Sequence, residues 1–254
     1  MLNETKTIDK NIPVPLYYQL KELILEAINE NKYTAGDVIP TEKEISSYYQ
    51  ISRTTVRQAI GELVQEGILY RVKSKGTFVA EPKIKQEYIS KIQSFNDEIL
   101  HRGMTPSTEV LQFRVLEGEE IPAEVIEAFQ LSAEEKVIFL HRKRMADGRP
   151  IVHSKTFLPY ALCSKVFQYD LNKERLYSIL DMSDETRIHH LDRTIEAVEA
   201  GTEDAKLLEM EKKKPIQYIR SVGYNSFGKV IEYTMSRYRG DRNQFTVTVF
   251  HEVN

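Results

Sequence analysis

A helix with one chemically equipped face is predicted between Ser52 and Gly67, which are placed to cap it and to end it. At 3.6 residues per turn its apolar residues fall on one stripe. The opposite stripe carries Thr54, Arg57, Gln58 and Gly61, with Arg53 at its edge. Two guanidiniums one turn apart suit phosphate or guanine, and short hydroxyls and an amide suit base edges. This chemistry fits a helix that enters the major groove of DNA, although ordinary amphipathic helices also carry a solvated polar face.

A second pair of arginines has the spacing to bind an anion. Arg142 and Arg144 lie two residues apart in a stretch with the alternation of a β-strand, so both point to one face, roughly 7 Å apart. If that face lines a pocket, the two guanidiniums form a fork suited to phosphate or carboxylate. The alternative is a pair of solvated side chains on an exposed strand, because arginine is mostly a surface residue.

Two further helices must position the first of these faces. Apolar residues recur at helical spacing from about Leu16 to Glu30, which predicts the first helix. The second begins with a capping box, in which Thr41 caps the helix and Glu44 reaches back to it. Only a short link separates this helix from the cap at Ser52, and that is the spacing of a helix-turn-helix.

A hairpin is predicted directly after the three helices. Leu69–Val72 and Thr77–Ala80 alternate as two short strands. The turn between them carries Lys73, Lys75 and Gly76, which suit a minor groove, since lysine neutralises phosphate and glycine allows backbone approach. A plain surface hairpin is the alternative, but after three helices the hairpin completes a winged helix-turn-helix.

Four stretches carry a family resemblance across residues 13–80: PLYYQL from Pro15, IPTE from Ile39, ISRTTVRQA from Ile51 and GILYRVKSKGTFV from Gly67. They resemble the N-terminal DNA-binding domain of GntR-family bacterial transcription regulators. At Thr41 and Lys75 the family more often has serine and arginine, and both replacements keep the chemistry. The resemblance, with the faces described above, implies the following DNA-binding residues: Thr41, Glu42, Lys43, Arg53, Thr54, Thr55, Arg57, Gln58, Lys73, Lys75 and Gly76.

The rest of the chain is predicted to form a second domain. Residues 1–80 are the expected winged domain, 81–92 a polar linker and 93–254 the second domain. Strands are expected at Glu109–Leu116, Val137–Met145, Ile151–Phe157, Arg187–Val198, Ile216–Tyr224, Val230–Tyr238 and Phe245–Phe250. Helices are expected at Pro122–Phe129, Lys173–Leu180 and Thr202–Met210. Turns at Asp147-Gly148 and Phe227-Gly228 join neighbouring strands, so the fold class is α+β with an antiparallel sheet covered by helices.

Three motifs of this second domain carry another resemblance: Ser94-Phe95 followed by RGMTP from Arg102, RKRMADGRPI from Arg142, and EYTMSRYRGDR from Glu232. They are similar to the UTRA effector-binding domain of the HutC-like branch of the same family, whose fold is similar to chorismate lyase. The resemblance covers about residues 94–253 and implies that the two arginines grip an acidic group, with Ser94 and Phe95 on a loop beside them. The implied effector-binding residues are Ser94, Phe95, Arg142, Arg144, His153, Arg175, Tyr177, Glu232 and Tyr238.

Two of these positions depart from the pattern of sugar-binding relatives. Arg175 stands where relatives that bind phosphosugars tend to have serine, and His153 stands where sugar binders can have glutamate. The resemblance therefore implies a small anionic effector, of which a phosphorylated sugar is one possibility.

The remaining reactive side chains have structural explanations. The single cysteine, Cys163, cannot form an intramolecular disulfide and is expected to be a small core residue. His189 and His190 are adjacent on a predicted strand, so they point to opposite faces and cannot chelate one ion together. His141 points away from Arg142. No phosphate-binding glycine loop, nucleophile elbow or zinc spacing is present, and we expect neither cofactor nor metal.

Charge and hydropathy narrow the class of protein. The 254 residues suffice for two domains, and the net charge of −3 requires any nucleic-acid surface to be local. Residues 50–80 carry five basic residues against two acidic ones. The sequence has neither an apolar run of membrane-spanning length nor the apolar core of a signal peptide near Met1, so a cytoplasmic location is expected.

The sequence thus predicts a homodimeric regulator, most often a repressor in this branch, that binds double-stranded operator DNA. A small effector would shift the linker and re-space the two DNA-binding heads. One alternative is a lyase-like enzyme that acts on a small acid and carries an appended winged domain, with Glu232 and His153 as its candidate acid or base. Another is a binding module whose winged domain contacts protein.

Overall fold

The computed structural model describes residues 7–80, 84–86, 92 and 94–247. Contacts within the chain divide it into two units, Met1–Lys83 and Ile84–Asn254. Each unit has its own hydrophobic core. The division falls inside the predicted linker, of which residues 81–83, 87–91 and 93 lie outside the described residues.

The first unit contains three helices and a two-stranded antiparallel sheet. In chain order these are α1 (Leu16–Asn29), α2 (Glu42–Tyr49), α3 (Arg53–Gln65), β1 (Leu69–Val72) and β2 (Gly76–Val79). The predicted apolar stripe of α3 is confirmed, because Val56, Ala59, Ile60 and Leu63 are buried. They pack against Leu20 and Ile24 of α1 and Ile45 of α2.

Local capping sets where α2 and α3 begin and end. The capping box predicted for Thr41 and Glu44 is present, with the backbone N–H of Thr41 donating to the Glu44 carboxylate at 2.7 Å. Gln50 ends α2 in the left-handed conformation at φ 52°. The Ser52 hydroxyl accepts from the backbone N–H of Thr55 at 3.1 Å and caps α3. Gly67, at φ 72°, turns the chain into β1 as predicted.

The second unit is built on a six-stranded antiparallel sheet with the order β4-β5-β6-β9-β8-β7. Its strands are β4 (Pro106–Leu116), β5 (Val137–Ala146), β6 (Arg149–Pro159), β7 (His190–Glu199), β8 (Pro215–Tyr224) and β9 (Val230–Arg239). Two shorter strands, β3 (Ile84–Gln86) and β10 (Asn243–Phe245), pair in parallel beside it. The helices are α4 (Phe95–His101), α5 (Ala123–Phe129), α6 (Tyr160–Cys163), α7 (Leu176–Leu180) and α8 (Thr202–Leu207), with 3₁₀ turns at Gly118–Glu120 and Ser164–Gln168.

Apolar side chains of the central strands alternate between two cores. Ile138 and Leu140 of β5 pack in a cluster with Cys163 and the residues of α7. Phe139, between them, packs on the opposite face in a cluster with Val125 of α5. Because successive side chains of a strand point to opposite faces, one strand contributes to both cores. The predicted antiparallel sheet with helical cover is confirmed.

The structure differs from the prediction at several elements: the helix predicted at Lys173–Leu180 begins at Leu176, for example, and α6 was not predicted. Three further differences have identifiable causes. Ser94 and Phe95 do not lie on a loop: the Ser94 hydroxyl caps α4 by accepting from Asp97 N–H at 3.2 Å, and Phe95 begins that helix. Strand β3 lies within the predicted linker and pairs with β10. The last strand was predicted at Phe245–Phe250, but the observed strand β10 ends at Phe245, and residues 248–250 lie outside the described residues. Each difference depends on a partner distant in sequence or on a local cap.

Candidate DNA-binding face and effector cavity

The polar stripe of α3 faces solvent within the first unit. Arg53, Thr54, Arg57 and Gln58 are exposed, and the side chain of Arg57 keeps 67% of its surface accessible. Thr55 is half-buried because its hydroxyl lies 2.8 Å from that of the capping Ser52. The face therefore presents guanidiniums, a hydroxyl and an amide on one side of a rigid helix, which is what contact with base edges and phosphates requires.

The start of α2 and the tip of the hairpin add to this face. The Thr41 hydroxyl lies 2.8 Å from the Glu44 carboxylate and so serves the cap of α2. Lys43, Lys73 and Lys75 are exposed. Gly76 adopts φ 128°, and a Cβ there would lie 3.0 Å from a methyl group of Val38, so both its conformation and its surroundings favour glycine.

Glu42 links the helical part of this face to the hairpin. Its Oε2 accepts from Nε and Nη2 of Arg57, each at 3.2 Å. Its Oε1 accepts from Nη2 of Arg71, on β1, at 3.3 Å. The sequence predicted Glu42 as a DNA ligand but did not indicate Arg71. An ion pair between distant segments of a chain produces no recognisable spacing in its sequence.

A cavity opens in the second unit on one face of β5, β6 and β9. Side chains from these strands, from β4, from α4 and from the segment leading into α7 line it. The lining residues are Ser94, Phe95, Asn96, Thr108, Arg142, Arg144, Val152, Ser154, Thr156, Asn172, Glu174, Arg175, Leu176, Tyr177, Glu232, Thr234, Ser236 and Tyr238. Every sequence-predicted effector residue except His153 is among them.

Strand register brings the two predicted arginines to the same wall. Arg142 lies opposite Ser154 of β6, and Arg144 lies opposite Val152. Arg142 is 5% exposed, and the guanidinium carbon of Arg144 lies 5.3 Å from the centre of the Phe95 ring. The alternative of two solvated arginines on an exposed strand therefore does not hold for this strand.

A third guanidinium, that of Arg175, lies at the same cavity and is already engaged. Arg175 precedes α7 and forms an ion pair with Asp97 of α4, whose other oxygen lies 2.5 Å from the Ser94 hydroxyl. The pair joins two walls of the cavity. An anion that binds near Arg175 would compete with Asp97 for this guanidinium.

A buried carboxylate lies on the β9 side of the cavity. Glu232 is 3% exposed, and its Oε1 lies 2.5 Å from the Thr234 hydroxyl, which is 2.9 Å from the Thr156 hydroxyl. A hydroxyl has one hydrogen, so if Thr234 donates to the carboxylate, Thr156 donates to Thr234. Within the described residues, Glu232 Oε2 and the hydroxyl of Ser154 have no hydrogen-bond partner although both are buried. These two atoms are available to a ligand.

His153 does not belong to this cavity, and its predicted role as an effector ligand is corrected. It follows Val152 on β6 and so points to the opposite face of the sheet. There its Nε2 lies 2.9 Å from Asp204 of α8, and its Nδ1 lies 3.2 Å from Nε2 of His141. The partnership with a carboxylate makes Nε2 the donor, which leaves Nδ1 to accept from His141.

The cluster on that opposite face is closed by Arg237. Its Nε donates to Asp204 Oδ1 at 2.6 Å and its Nη2 to Oδ2 at 3.1 Å. Burial lowers the pKa of His141 to about 4, and the positive charges of Lys155 and of His153 when it is protonated act in the same direction. Burial also lowers the pKa of His153, against the opposing effect of Asp204. Both histidines are therefore neutral at pH 7.

The other reactive side chains lie away from the cavity. His189 and His190 are exposed at the start of β7, and the ring of His190 stacks on Tyr224 at 4.7 Å. Cys163 is buried in the core, as predicted, and burial raises the pKa of its thiol to about 12. Among the described residues, no three histidine, cysteine, aspartate or glutamate side chains are grouped to hold a metal ion.

Four hydroxyl-bearing residues are among the cavity residues that the sequence did not indicate. Ser154 and Thr156 of β6 and Thr234 and Ser236 of β9 all line the cavity. The available signal was their two-residue alternation on β6, which pairs with the strand of Arg142, and on β9, which pairs with β6. Using it required the order β5-β6-β9, in which β6 pairs with a strand more than 70 residues later in the chain.

Comparison with known families places both units. The family model described as "Bacterial regulatory proteins, gntR family" matches residues 16–79, and that of the UTRA domain matches residues 101–244. The chain belongs to the GntR family of bacterial regulatory proteins, in its HutC-like branch with a UTRA domain. It is accordingly a DNA-binding transcription regulator, and the alternative of a lyase-like enzyme is set aside.

Relatives cover nearly the whole chain. The HTH-type transcriptional repressor NagR of Bacillus subtilis is 31% identical over 238 residues, which span 94% of this chain and 96% of NagR. The mannosyl-D-glycerate transport/metabolism system repressor MngR of Escherichia coli is 28% identical over 233 residues, 92% of this chain and 95% of MngR. The crystal structure of PhnF from Mycobacterium smegmatis has the same fold, with a TM-score of 0.64 at 23% identity, over 93% of this chain and 99% of PhnF. Within the described residues no helix is both long and apolar enough to cross a membrane.

Proposed function

We propose that this protein is a repressor whose affinity for operator DNA is controlled by a small anionic effector bound in the cavity of its UTRA domain. The carrying observation is that Arg142 and Arg144 line the same face of the sheet as the buried Ser154 hydroxyl and the buried Glu232 carboxylate. Two guanidiniums would neutralise a phosphate or carboxylate group of the ligand, preferably in bidentate geometry. The hydroxyls and Glu232 would receive its neutral polar groups.

The same lining supports a phosphorylated or otherwise acidic sugar as the effector. Glu232 Oε2 lacks a donor within the described residues, and a sugar hydroxyl or amine would supply one. Phe95, Tyr177 and Tyr238 add apolar ring surface on which the carbon face of a sugar can pack. The name of the relative MngR also refers to an acidic sugar derivative.

On the DNA side, the proposed contacts are those of the exposed stripe of α3, the start of α2 and the hairpin tip. Two copies of the chain would bind the half-sites of a roughly palindromic operator, since two-fold symmetry of a dimer is mirrored in its DNA. The proposal includes a winged domain at residues 1–80, a linker at 81–92 and an effector-binding domain at 93–254. It also includes action in the cytoplasm. The effector would bind one of two dimer arrangements more tightly than the other. The population of the arrangement that binds the operator, and hence the operator affinity, would change accordingly.

The effector class is tested by thermal stabilisation of the purified protein. Phosphosugars, amino sugars, organic acids and phosphonates are screened singly, and a ligand present at 100 times its Kd stabilises by about 2.7 kcal/mol. We expect a hit that the Arg142→Ala, Arg144→Ala double variant loses. Lys143→Ala is the matched control, because this lysine lies between the two arginines, points to the other face and pairs with Glu109 at 2.6 Å. A hit that the double variant retains would contradict the proposed site.

The DNA-binding face is tested with Arg57→Ala, which should abolish binding to the operator while the melting temperature stays unchanged. The side chain is two-thirds exposed and contributes nothing to the core. Lys32→Ala removes an exposed cation that is not part of the proposed face, and it should leave binding intact. Retained operator affinity in Arg57→Ala would overturn the assignment of this face.

A further inference from the structure

Glu42 is the only acidic residue among the proposed DNA ligands, and its position next to two arginines gives it a different role. A carboxylate repels phosphate, and its use in base recognition is to accept from the amino group of cytosine. Here both carboxylate oxygens already accept from guanidiniums, Oε2 from Arg57 and Oε1 from Arg71. Glu42 is the first residue of α2, whose start is fixed by the capping box between Thr41 and Glu44.

The geometry of the Arg57 pair leaves the base-reading edge of the guanidinium available. A guanidinium offers two donor pairs, one formed by Nε and Nη2 and the other by the two terminal nitrogens. Glu42 Oε2 accepts from Nε and Nη2. The terminal pair is the one that donates to O6 and N7 of guanine when an arginine approaches a base end-on. Because the side chain is 67% exposed, without this contact it would sample many rotamers.

Arg71 extends the arrangement to the hairpin. It lies on β1, its side chain is 47% exposed, and it shares the carboxylate that holds Arg57. Two guanidiniums on one carboxylate keep a net charge of +1, so the cluster still attracts DNA. The shared carboxylate also fixes the distance between an arginine of the helix and an arginine of the hairpin.

We propose that Glu42 is a positioning residue that orients Arg57 for bidentate contact with guanine and Arg71 for contact with a phosphate, and that Arg71 is a further DNA-binding residue. The inference rests on the proposed function of this face. Removal of the Glu42 charge then has two opposite effects. It loosens Arg57, which lowers sequence discrimination, and it makes the surface more positive, which raises affinity for any DNA.

The test begins with selection of binding sites from a randomised double-stranded library by the full-length protein. The affinity for the selected duplex and for a scrambled duplex is then measured at several salt concentrations. Glu42→Gln keeps the size of the side chain, and we expect it to lower the ratio of the two affinities about 10-fold or more, within the range of one bidentate base contact. Its affinity for the scrambled duplex should rise.

Two arginine variants separate the two roles. Arg57→Lys keeps the charge but not the bidentate geometry, so it should lose the guanine preference at one position of each half-site with the salt dependence unchanged. Arg71→Gln should leave the selected sequence unchanged. It should make the negative slope of log affinity against log salt shallower by about 0.9 for each subunit's phosphate contact.

Glu62→Gln is the matched control, since Glu62 is likewise a helical glutamate in an ion pair, but it lies on α3 and pairs with Lys21 at 3.4 Å. It should leave the affinity ratio unchanged. If Glu42→Gln also leaves the ratio of the two affinities unchanged, for example by lowering the affinities for the selected and scrambled duplexes equally, the positioning role is wrong. An unchanged salt slope in Arg71→Gln would refute the phosphate contact. If the unmodified protein selects no sequence at all, the proposed function itself fails.

Discussion

The three central strands of the UTRA domain bury polar side chains on both faces, and the two faces differ in how these groups are paired. On the cavity face, Ser154 and Glu232 each keep an oxygen without a hydrogen-bond partner within the described residues. On the back face, His153 and Arg237 both donate to Asp204, and His141 donates to His153. Neighbouring residues of the same strands therefore belong to two different networks.

The back face has the properties of a structural network. Asp204 accepts from His153, from Arg237 and from the backbone N–H of Gly201 at 2.7 Å. Burial by itself would raise the pKa of Asp204, but these hydrogen bonds hold it below its usual range. The network fastens α8 to β6 and β9.

The cavity face has the properties of a binding site. A buried polar atom without a partner costs stability, and a chain keeps such atoms where a ligand pairs with them. Burial of a polar residue therefore does not by itself distinguish a structural role from a functional one. Here the two faces differ because, among the described residues, Glu232 and Ser154 keep unpaired oxygens at a cavity, whereas Asp204 is fully engaged. Substitutions on the two faces should accordingly change different quantities.

The largest effect is expected from Asp204→Ala on the back face. Removing this carboxylate leaves the buried His153 and the partly exposed Arg237 without their partner, and the loss should be about 3 kcal/mol, at the low end of the cost of breaking a buried ion pair. Urea denaturation of the purified protein measures this loss. Glu203→Ala is the control: its half-exposed carboxylate pairs with Lys155 at 2.7 Å, and the change should cost less than about 1 kcal/mol. If Asp204→Ala and Glu203→Ala lower the free energy of unfolding equally, the Asp204 network does not have the proposed structural role.

A smaller effect is expected from acid, through His141. Its pKa in the folded protein is about 4, below the ordinary value of 6.5, so the unfolded chain binds the proton first as the pH falls. Its contribution to stability is complete above pH 6.5 and is lost as the pH falls towards 4. Between pH 7 and pH 5 this amounts to about 2 kcal/mol.

Unfolding free energies at pH 7 and pH 5 test this, since His141→Gln should lose less stability over that interval than the unmodified protein. His190→Gln, at an exposed site, should behave like the unmodified protein. If His141→Gln and the unmodified protein lose the same free energy, the back-face histidine does not carry the acid sensitivity.

Still smaller is the stability change expected from Glu232→Gln on the cavity face. The amide keeps an oxygen that can accept from Thr234 and removes a buried charge, so stability should stay within about 1 kcal/mol or increase. Affinity for the effector found by thermal screening should fall. The same isosteric change on the back face, Asp204→Asn, should destabilise because Arg237 loses its charged partner. A strongly destabilised Glu232→Gln would show that the carboxylate is structural.

The smallest effect on stability is expected from Ser154→Ala. Its hydroxyl has no partner within the described residues, so its removal should change the unfolding free energy by about 0.5 kcal/mol or less. Thr234→Val provides the contrast, because the Thr234 hydroxyl lies near both Glu232 and Thr156 and its loss should cost about 1 kcal/mol. Calorimetric melting of both variants measures the difference. If Ser154→Ala lowers the unfolding free energy more than Thr234→Val does, the Ser154 hydroxyl is a structural group and not one left available to a ligand.

Much of this arrangement was predictable because it depends on local rules. The capping box at Thr41, the Ser52 cap and the buried stripe of α3 each follow from residues within one or two helical turns. The common direction of Arg142 and Arg144 follows from the alternation of a strand. The same alternation puts His153 on the other face of β6 from Val152 and Ser154. Because those two residues line the cavity, His153 does not.

Other features were beyond local rules because their partners lie far apart in the chain. Glu42 meets Arg71 across 29 positions, and Arg175 meets Asp97 across 78. No periodicity connects such residues, since the contact arises from packing of separate elements. The helix that begins at Phe95 was missed for a simpler reason, because a seven-residue element produces little periodic signal.

The amino-acid sequence alone was sufficient for the winged helix-turn-helix and the antiparallel second domain, because caps, turns and periodicity depend on neighbouring residues. The family followed from the resemblance of its motifs. Which polar groups pair with one another depended on the folded chain. The order β5-β6-β9 brings Arg142 and Ser154 to the face of Glu232, and the packing of α8 brings Asp204 to His153 and Arg237. Hydrogen bonds act over about 3 Å, so only the three-dimensional arrangement separates the network that stabilises this domain from the groups available to a ligand.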